Sequence, residues 1–182
     1  MRYTFCLVLL LLSFCASAGK VQHASVEHVN GHYYLKLGML LDVKAEPVWD
    51  IISDHDNMNR FSEEILESAL IGELGRGIKQ RRLLTRTCIL VFCFEAKIVE
   101  QFREDNFTIH ARFIPGLSDF DSGATTWRVI PVNENSSMVE FESELEPAFW
   151  IPPVLGPYIM KKKLLSVAKK SIRKIEALAA HG

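Results

Sequence analysis

The fold can be read outward from Val139-Glu140-Phe141-Glu142-Ser143-Glu144-Leu145-Glu146. Apolar or small residues alternate with carboxylates. Successive side chains of a strand point to opposite faces, so Val139, Phe141, Ser143 and Leu145 share one face. Met138, Glu140, Glu142 and Glu144 share the other. Like charges in a row are costly away from water, so the carboxylate face is the wet one. A strand with one wet and one dry face belongs to an antiparallel sheet covered on one side.

The same alternation recurs upstream, where Phe107, Ile109, Ala111 and Phe113 oppose Thr108, His110 and Arg112. Strands are expected over 67–74, 78–87, 94–103, 107–113, 123–131 and 137–146. The breaks between them are short and turn-rich: Gly75-Arg76-Gly77, Glu104-Asp105-Asn106, Pro115-Gly116 and Asn133-Glu134-Asn135. Short gaps imply an antiparallel meander. A first strand is expected over 33–43. Glu46-Pro47 then opens a helix, with proline in the first turn, where a missing N–H costs nothing. Val48, Trp49, Ile51 and Ile52 supply its buried face. A second short helix or turn runs from Asp54 to Phe61, with Asp54 and Asp56 as caps. Asp54, His55 and Asp56 do not read as a metal set, because adjacent helical residues point in different directions.

The chain closes with a long helix over 158–180. Met160, Leu164, Val167, Ala168, Ile172, Ile175 and Leu178 recur at helical spacing. Lys161, Lys162, Lys163, Lys169, Lys170, Arg173 and Lys174 occupy the other side, against the single acid Glu176.

The start of the chain sets the expected compartment. Arg2, an apolar run from Phe5 to Phe14 and Ala16-Ser17-Ala18 form the pattern of a secretory signal peptide. The run is far shorter than the roughly 20 residues a spanning helix needs. Cleavage is expected after Ala18, into the periplasm. Phe14 is a poor fit to the small residue a lipoprotein site would place before Cys15. Residues 19–31 are polar and expected to be a loose extension, followed by one domain over 32–180.

Cleavage leaves two of the four cysteines, Cys88 and Cys93, around the apolar run Ile89-Leu90-Val91-Phe92. Five apart on one continuous strand, they would point to opposite faces and could not bond. If the chain reverses between them they become a facing pair, and an oxidising compartment permits a disulfide. Two cysteines with no matching pair do not make a zinc site. The formal net charge of -1 does not suggest nucleic acid.

One strand, two short helices, six strands and a long terminal helix make an α+β architecture. A curved antiparallel sheet of about seven strands, wrapped around the helix, would bury both apolar faces. Here the chain resembles the START-like helix-grip superfamily, also called SRPBCC, which includes polyketide cyclases and coenzyme-Q-binding proteins. The resemblance rests on Val43-Lys44-Ala45-Glu46-Pro47-Val48-Trp49-Asp50-Ile51-Ile52-Ser53-Asp54, on Met58, Arg60 and Phe61, and on Val139 to Pro147 before the long helix. It implies a ligand cavity between sheet and helix, with three connections at its mouth: 88–93, 114–120 and 148–158. All three are unusually apolar here.

The inward apolar set nominates Trp49, Phe61, Leu84, Phe94, Ile98, Phe113, Trp127, Phe141, Trp150, Met160 and Leu164 as cavity walls. Ile89, Leu90, Val91, Phe92, Phe149, Trp150 and Ile151, with Lys161, Lys162 and Lys163, are the candidates for membrane or lipid contact. No catalytic set, cofactor motif or metal pair is legible. Only Arg128, Arg103, His110 or Ser143 stands out as a polar group for a pocket. His110 is expected in an inter-strand hydrogen bond, and Arg128 and Arg103 in cross-strand pairs with the glutamate row. The expected function is a secreted carrier of a hydrophobic small molecule or lipid, of quinone, isoprenoid or acyl type. The alternatives are a cyclase- or hydrolase-type enzyme and a protein-interaction module.

Overall fold

The computed structural model describes residues 19–89, 92–149, 151 and 156–181. Eight strands form one antiparallel sheet. They are β1 Lys20–Val29, β2 His32–Leu41, β3 Ile65–Gly75, β4 Ile78–Ile89, β5 Phe92–Asp105, β6 Thr108–Phe113, β7 Phe120–Asn133 and β8 Ser136–Pro147. Their order is β1-β2-β8-β7-β6-β5-β4-β3. Helix α1 (Ala45–Ile52) and a short 3-10 turn (Met58–Arg60) lie between β2 and β3, and α2 (Gly156–His181) ends the chain. This is the helix-grip arrangement: a curved sheet closed around a long helix.

Residues 19–31 correct the expectation of a loose extension, and the strand count rises to eight. Lys20–Val29 is an edge strand paired with β2. Asn30 and Gly31 carry φ of 51° and 88°, and Val29 faces His32 across them. Two positive φ angles in a two-residue loop make the turn whose twist suits a hairpin, and Asn-Gly is its strongest signal. The strand is polar because it is exposed over most of its length.

The core sits between the sheet's inner face and α2. Leu37, Met39, Leu41, Val48, Ile109, Val139, Ile172 and Ile175 are fully enclosed there. Each such side chain contributes roughly 1.5–3 kcal/mol when it leaves water, an upper figure for a compact unfolded state. Helix α1 buries Ala45, Val48 and Ile52, spaced to face one way, and ends where Ser53 N–H donates to the Trp49 carbonyl at 2.9 Å. Along α2, Met160, Ala168, Ser171, Ile172, Ile175, Glu176 and Ala179 are buried, whereas Lys162, Lys170, Arg173 and Lys174 are exposed. These four basic side chains therefore face outward, as the cost of burying them demands.

The glutamate row of β8 also faces outward. Glu140 accepts from Arg128 at 2.9 Å, and Glu142 lies 3.9 Å from Lys36.

Candidate ligand-binding cavity

Between the sheet and α2 lies a cavity of about 240 Å³. Its walls arrive as facing pairs, because neighbouring strands present opposed residues to one side. On the β4–β5 hairpin these are Arg81–Glu100, Leu83–Ile98, Thr85–Ala96 and Thr87–Phe94. From β7 and β8 come Thr125–Ser143 and Trp127–Phe141. Phe61 lies after the 3-10 turn, and Met160, Leu164, Val167, Ala168 and Ser171 close the cavity from α2.

The two ends differ. At the hairpin root, Arg81 and Glu100 are each 1% exposed. The Arg81 Nε donates to Glu100 Oε1, and its Nη1 donates to His55 Nδ1 at 2.7 Å. Because arginine only donates, this fixes the His55 tautomer: Nδ1 accepts and Nε2–H donates to Glu104 Oε1 at 2.7 Å. Lys79 Nζ donates to the other Glu104 oxygen at 2.7 Å, and the Arg81 guanidinium stacks 4.9 Å over Phe102. Burial, reinforced by the Arg81 cation, holds His55 below the usual imidazole range against the opposing pull of Glu104. Burial alone would raise Glu104. Hydrogen bonds from Lys79 and His55 outweigh it and hold that carboxylate below its usual range. A second pair lies at the cavity's edge, where Lys163 Nζ donates to Glu64 Oε1 at 3.1 Å.

At the hairpin tip, Cys88 and Cys93 form a disulfide and face one another in the ladder. The ladder continues to Ile89 and Phe92, so only residues 90 and 91 connect the strands. Next to it Phe149 stacks on Phe94 at 6.2 Å and meets Phe120 edge-on at 5.8 Å. Phe120 meets Phe113 at 5.4 Å. A Cβ at Gly123 would come within 2.2 Å of the Phe113 ring, so glycine is what lets that ring lie across β7. The Ala148 N–H to Asp119 carbonyl bond, at 3.4 Å, ties the second and third apolar connections together.

Of the nominated walls, Phe61, Phe94, Ile98, Phe113, Trp127, Phe141, Met160 and Leu164 line the cavity. Trp49 and Leu84 do not. Trp49 packs edge-on against Phe107 at 5.5 Å, outside the cavity. Leu84 lies on the outer face of β4, and Leu83 takes the inner place. Trp150, Leu90 and Val91 lie outside the described residues, as do the side chains of Ile89 and Phe92. Phe149, nominated for membrane or lipid contact, lines the cavity, and Lys163 is engaged by Glu64. Ile151 and Lys161 are half-buried, and Lys162 is exposed. Among the expected polar groups Ser143 lines the cavity, Arg103 is exposed, and His110 bonds Thr126 at 3.1 Å. Sequence reading missed Arg81 and Glu100. Among the described residues no three His, Cys, Asp or Glu side chains form a metal set.

Residues 39–180 match the profile of a family described as polyketide cyclase / dehydrase and lipid transport. The chain belongs to that family. Solved structures carry the same fold at low identity. A START superfamily protein from Mycobacterium smegmatis is 17% identical with a TM-score of 0.65, over 81% of this chain and 99% of that one. A STAR-related lipid transfer protein from Xanthomonas axonopodis is 12% identical with a TM-score of 0.61, over 91% and 98%. The Zhui aromatase/cyclase from Streptomyces is 12% identical with a TM-score of 0.60, over 82% and 93%. No curated protein matches the sequence. Family membership establishes a START-like ligand-binding domain, and that breadth leaves the activity to be argued from the cavity.

Proposed function

We propose that this family member is an exported carrier for one small hydrophobic molecule that has a single polar end. The observation that carries this reading is the Arg81–Glu100 pair, buried at one end of an otherwise mainly apolar cavity. Apolar walls supply non-directional affinity, and a few placed polar groups fix orientation. A hydroxyl can donate to Glu100, and a hydroxyl or carbonyl can accept from Arg81, without separating the pair. The volume, about 240 Å³, lies below the roughly 300–1,000 Å³ of typical drug-sized sites, which suits one slender or ring-sized body better than a two-chain lipid.

Export is supported by the pattern of residues 1–18 and by the Cys88–Cys93 disulfide. Membrane contact at the mouth is part of the proposal. Tyr158 is 59% exposed there with the Lys162 ammonium 4.4 Å over its ring, and Lys161 lies beside them. Such an aromatic and basic rim suits an anionic lipid surface.

One observation favours an enzyme as the second reading: His55, Arg81 and Glu100 form a connected set reaching the cavity. Arg81 and Glu100 neutralise each other, however, and the His55 acceptor nitrogen is occupied by Arg81, so no free base is presented. The test is an organic extract of protein purified after export, read by mass spectrometry. A stoichiometric hydrophobic compound with one polar group is expected. An empty protein that converts an added polyketide-like substrate would replace the carrier with the enzyme. An empty protein that ignores substrates and lipids would leave only an interaction module.

A further inference from the structure

We infer that removal of residues 1–18 creates a buried ammonium at Gly19 that locks onto Glu176 and completes the fold. The Gly19 nitrogen lies 2.6 Å from Glu176 Oε2. The other carboxylate oxygen accepts from the Asp42 N–H at 3.0 Å. Glu176 thus joins α2 to the start of β1 and to the residue just after β2. It is 7% exposed, and among the described residues no Lys, Arg or His pairs with it. Two neutral N–H groups are a thin shell for a buried carboxylate, which ordinarily requires a cation.

The sequence supplies that cation at this atom. Ala16-Ser17-Ala18 is a small-x-small cleavage signal ending one residue before Gly19. The leader-removing peptidase adds water across the Ala18–Gly19 peptide bond. The C–N bond breaks, the water oxygen joins the Ala18 carboxyl, and the freed Gly19 amine takes up a proton. An α-amine with an ordinary pKa of about 7.7–8.0 is charged at neutral pH. Two independent observations, a processing signal and a buried carboxylate, therefore meet at one nitrogen. The residue type fits as well. A Cβ at position 19 would come within 2.8 Å of Leu41 Cδ2 and 2.9 Å of Glu176 Oε2, so glycine lets the nitrogen sit this deep. In the precursor the same nitrogen is a neutral amide. The exported form is the more stable one, and the precursor reaches the translocation machinery without its clasp.

The inference shares with the proposed function only the export of the chain, and its readouts do not involve ligand. The full-length chain is exported and its mature terminus is read by intact mass, with a start at Gly19 expected. Its melting is compared with that of a chain released from a cleavable fusion so that it begins at Ala18, which keeps every described residue but restores the amide. The Gly19 chain should melt at least about 3 °C higher, and Glu176→Gln in both should erase the gap. Independently of that variant, a limiting amine reagent should label surface lysines of the native exported protein but reach the Gly19 amine only after unfolding. A different mature terminus, equal melting of the two chains, a gap that survives Glu176→Gln, or ready labelling of the native amine would each overturn the clasp.

Discussion

The β4–β5 hairpin has two ends built on opposite physics. Its root holds Arg81, Glu100, His55, Glu104 and Lys79, connected by hydrogen bonds of 2.7 Å or shorter. Its tip holds a disulfide and the aromatic cluster of Phe94, Phe120 and Phe149. Along β4, Thr87 lies six positions on from Arg81, about 20 Å at strand rise. The root cannot open cheaply, because a separated buried ion pair leaves two unpaired charges. The tip side of the cavity is held by ring contacts, and Phe94 is already 43% exposed. On the carrier reading proposed above, this difference would give the cavity a direction: a ligand would enter past the aromatic rings and stop with its polar end at the ion pair.

The largest expected effect comes from breaking the root on one side. Arg81→Met should cost about 3–5 kcal/mol in urea denaturation by stranding Glu100. Adding Glu100→Met should restore most of that, since an apolar pair can replace a buried ionic one. A single variant as stable as the parent would show that the pair is not load-carrying.

Breaking the tip should cost less. Removing both cysteines by Cys88→Ser and Cys93→Ser, with a separation of five residues, should lower stability by about 2 kcal/mol. Ligand head-group preference should survive, because the root is untouched. Loss of that preference would mean that the two ends are not independent.

Acid sharpens the comparison further. His55 is held below its usual pKa by burial and Arg81, so its unfolded form takes up protons first. Stability should be fully present above about pH 6.5 and fall as the pH drops below it. Glu104, also depressed, adds a second loss below about pH 4.5, as the pH falls toward its folded value. His55→Gln should flatten the first decline, which thermal melts from pH 8 to 4 would show. The smallest effect on stability should come from Phe92→Asp with Trp150→Asp. Sedimentation with anionic liposomes should be lost at low salt while circular dichroism and melting stay unchanged. Undiminished sedimentation would reassign the apolar connections to a lid or a protein contact.

Much of the fold is legible because alternation and turn residues are local. The strands of the meander, α1 and the long amphipathic α2 follow from periodicity that needs no knowledge of partners. β1 is missed because an exposed edge strand is polar on both faces. Asn30-Gly31 is its one strong signal. The charged root is missed for a different reason. Arg81-Arg82-Leu83-Leu84 doubles each type, so alternation there has no phase, and Leu84 reads as well as Leu83. Pairing removes the ambiguity. If Cys88 faces Cys93, antiparallel register places Arg81 opposite Glu100, as the ladder has it. Glu100 then reads as one carboxylate in the inward series Phe94, Ala96, Ile98 and Phe102, which calls for a buried cation.

Head-group discrimination is where the buried ion pair should reveal itself. Two probes with the same hydrocarbon body, one ending in a hydroxyl and one without it, are titrated into delipidated protein by calorimetry. The parent should prefer the hydroxyl probe at least about tenfold, the effect of one hydrogen bond to a charged group. The Arg81→Met, Glu100→Met double variant should bind both equally. Equal binding by the parent, or a preference that persists in the double variant, would contradict a cavity that reads its ligand's polar end at the hairpin root.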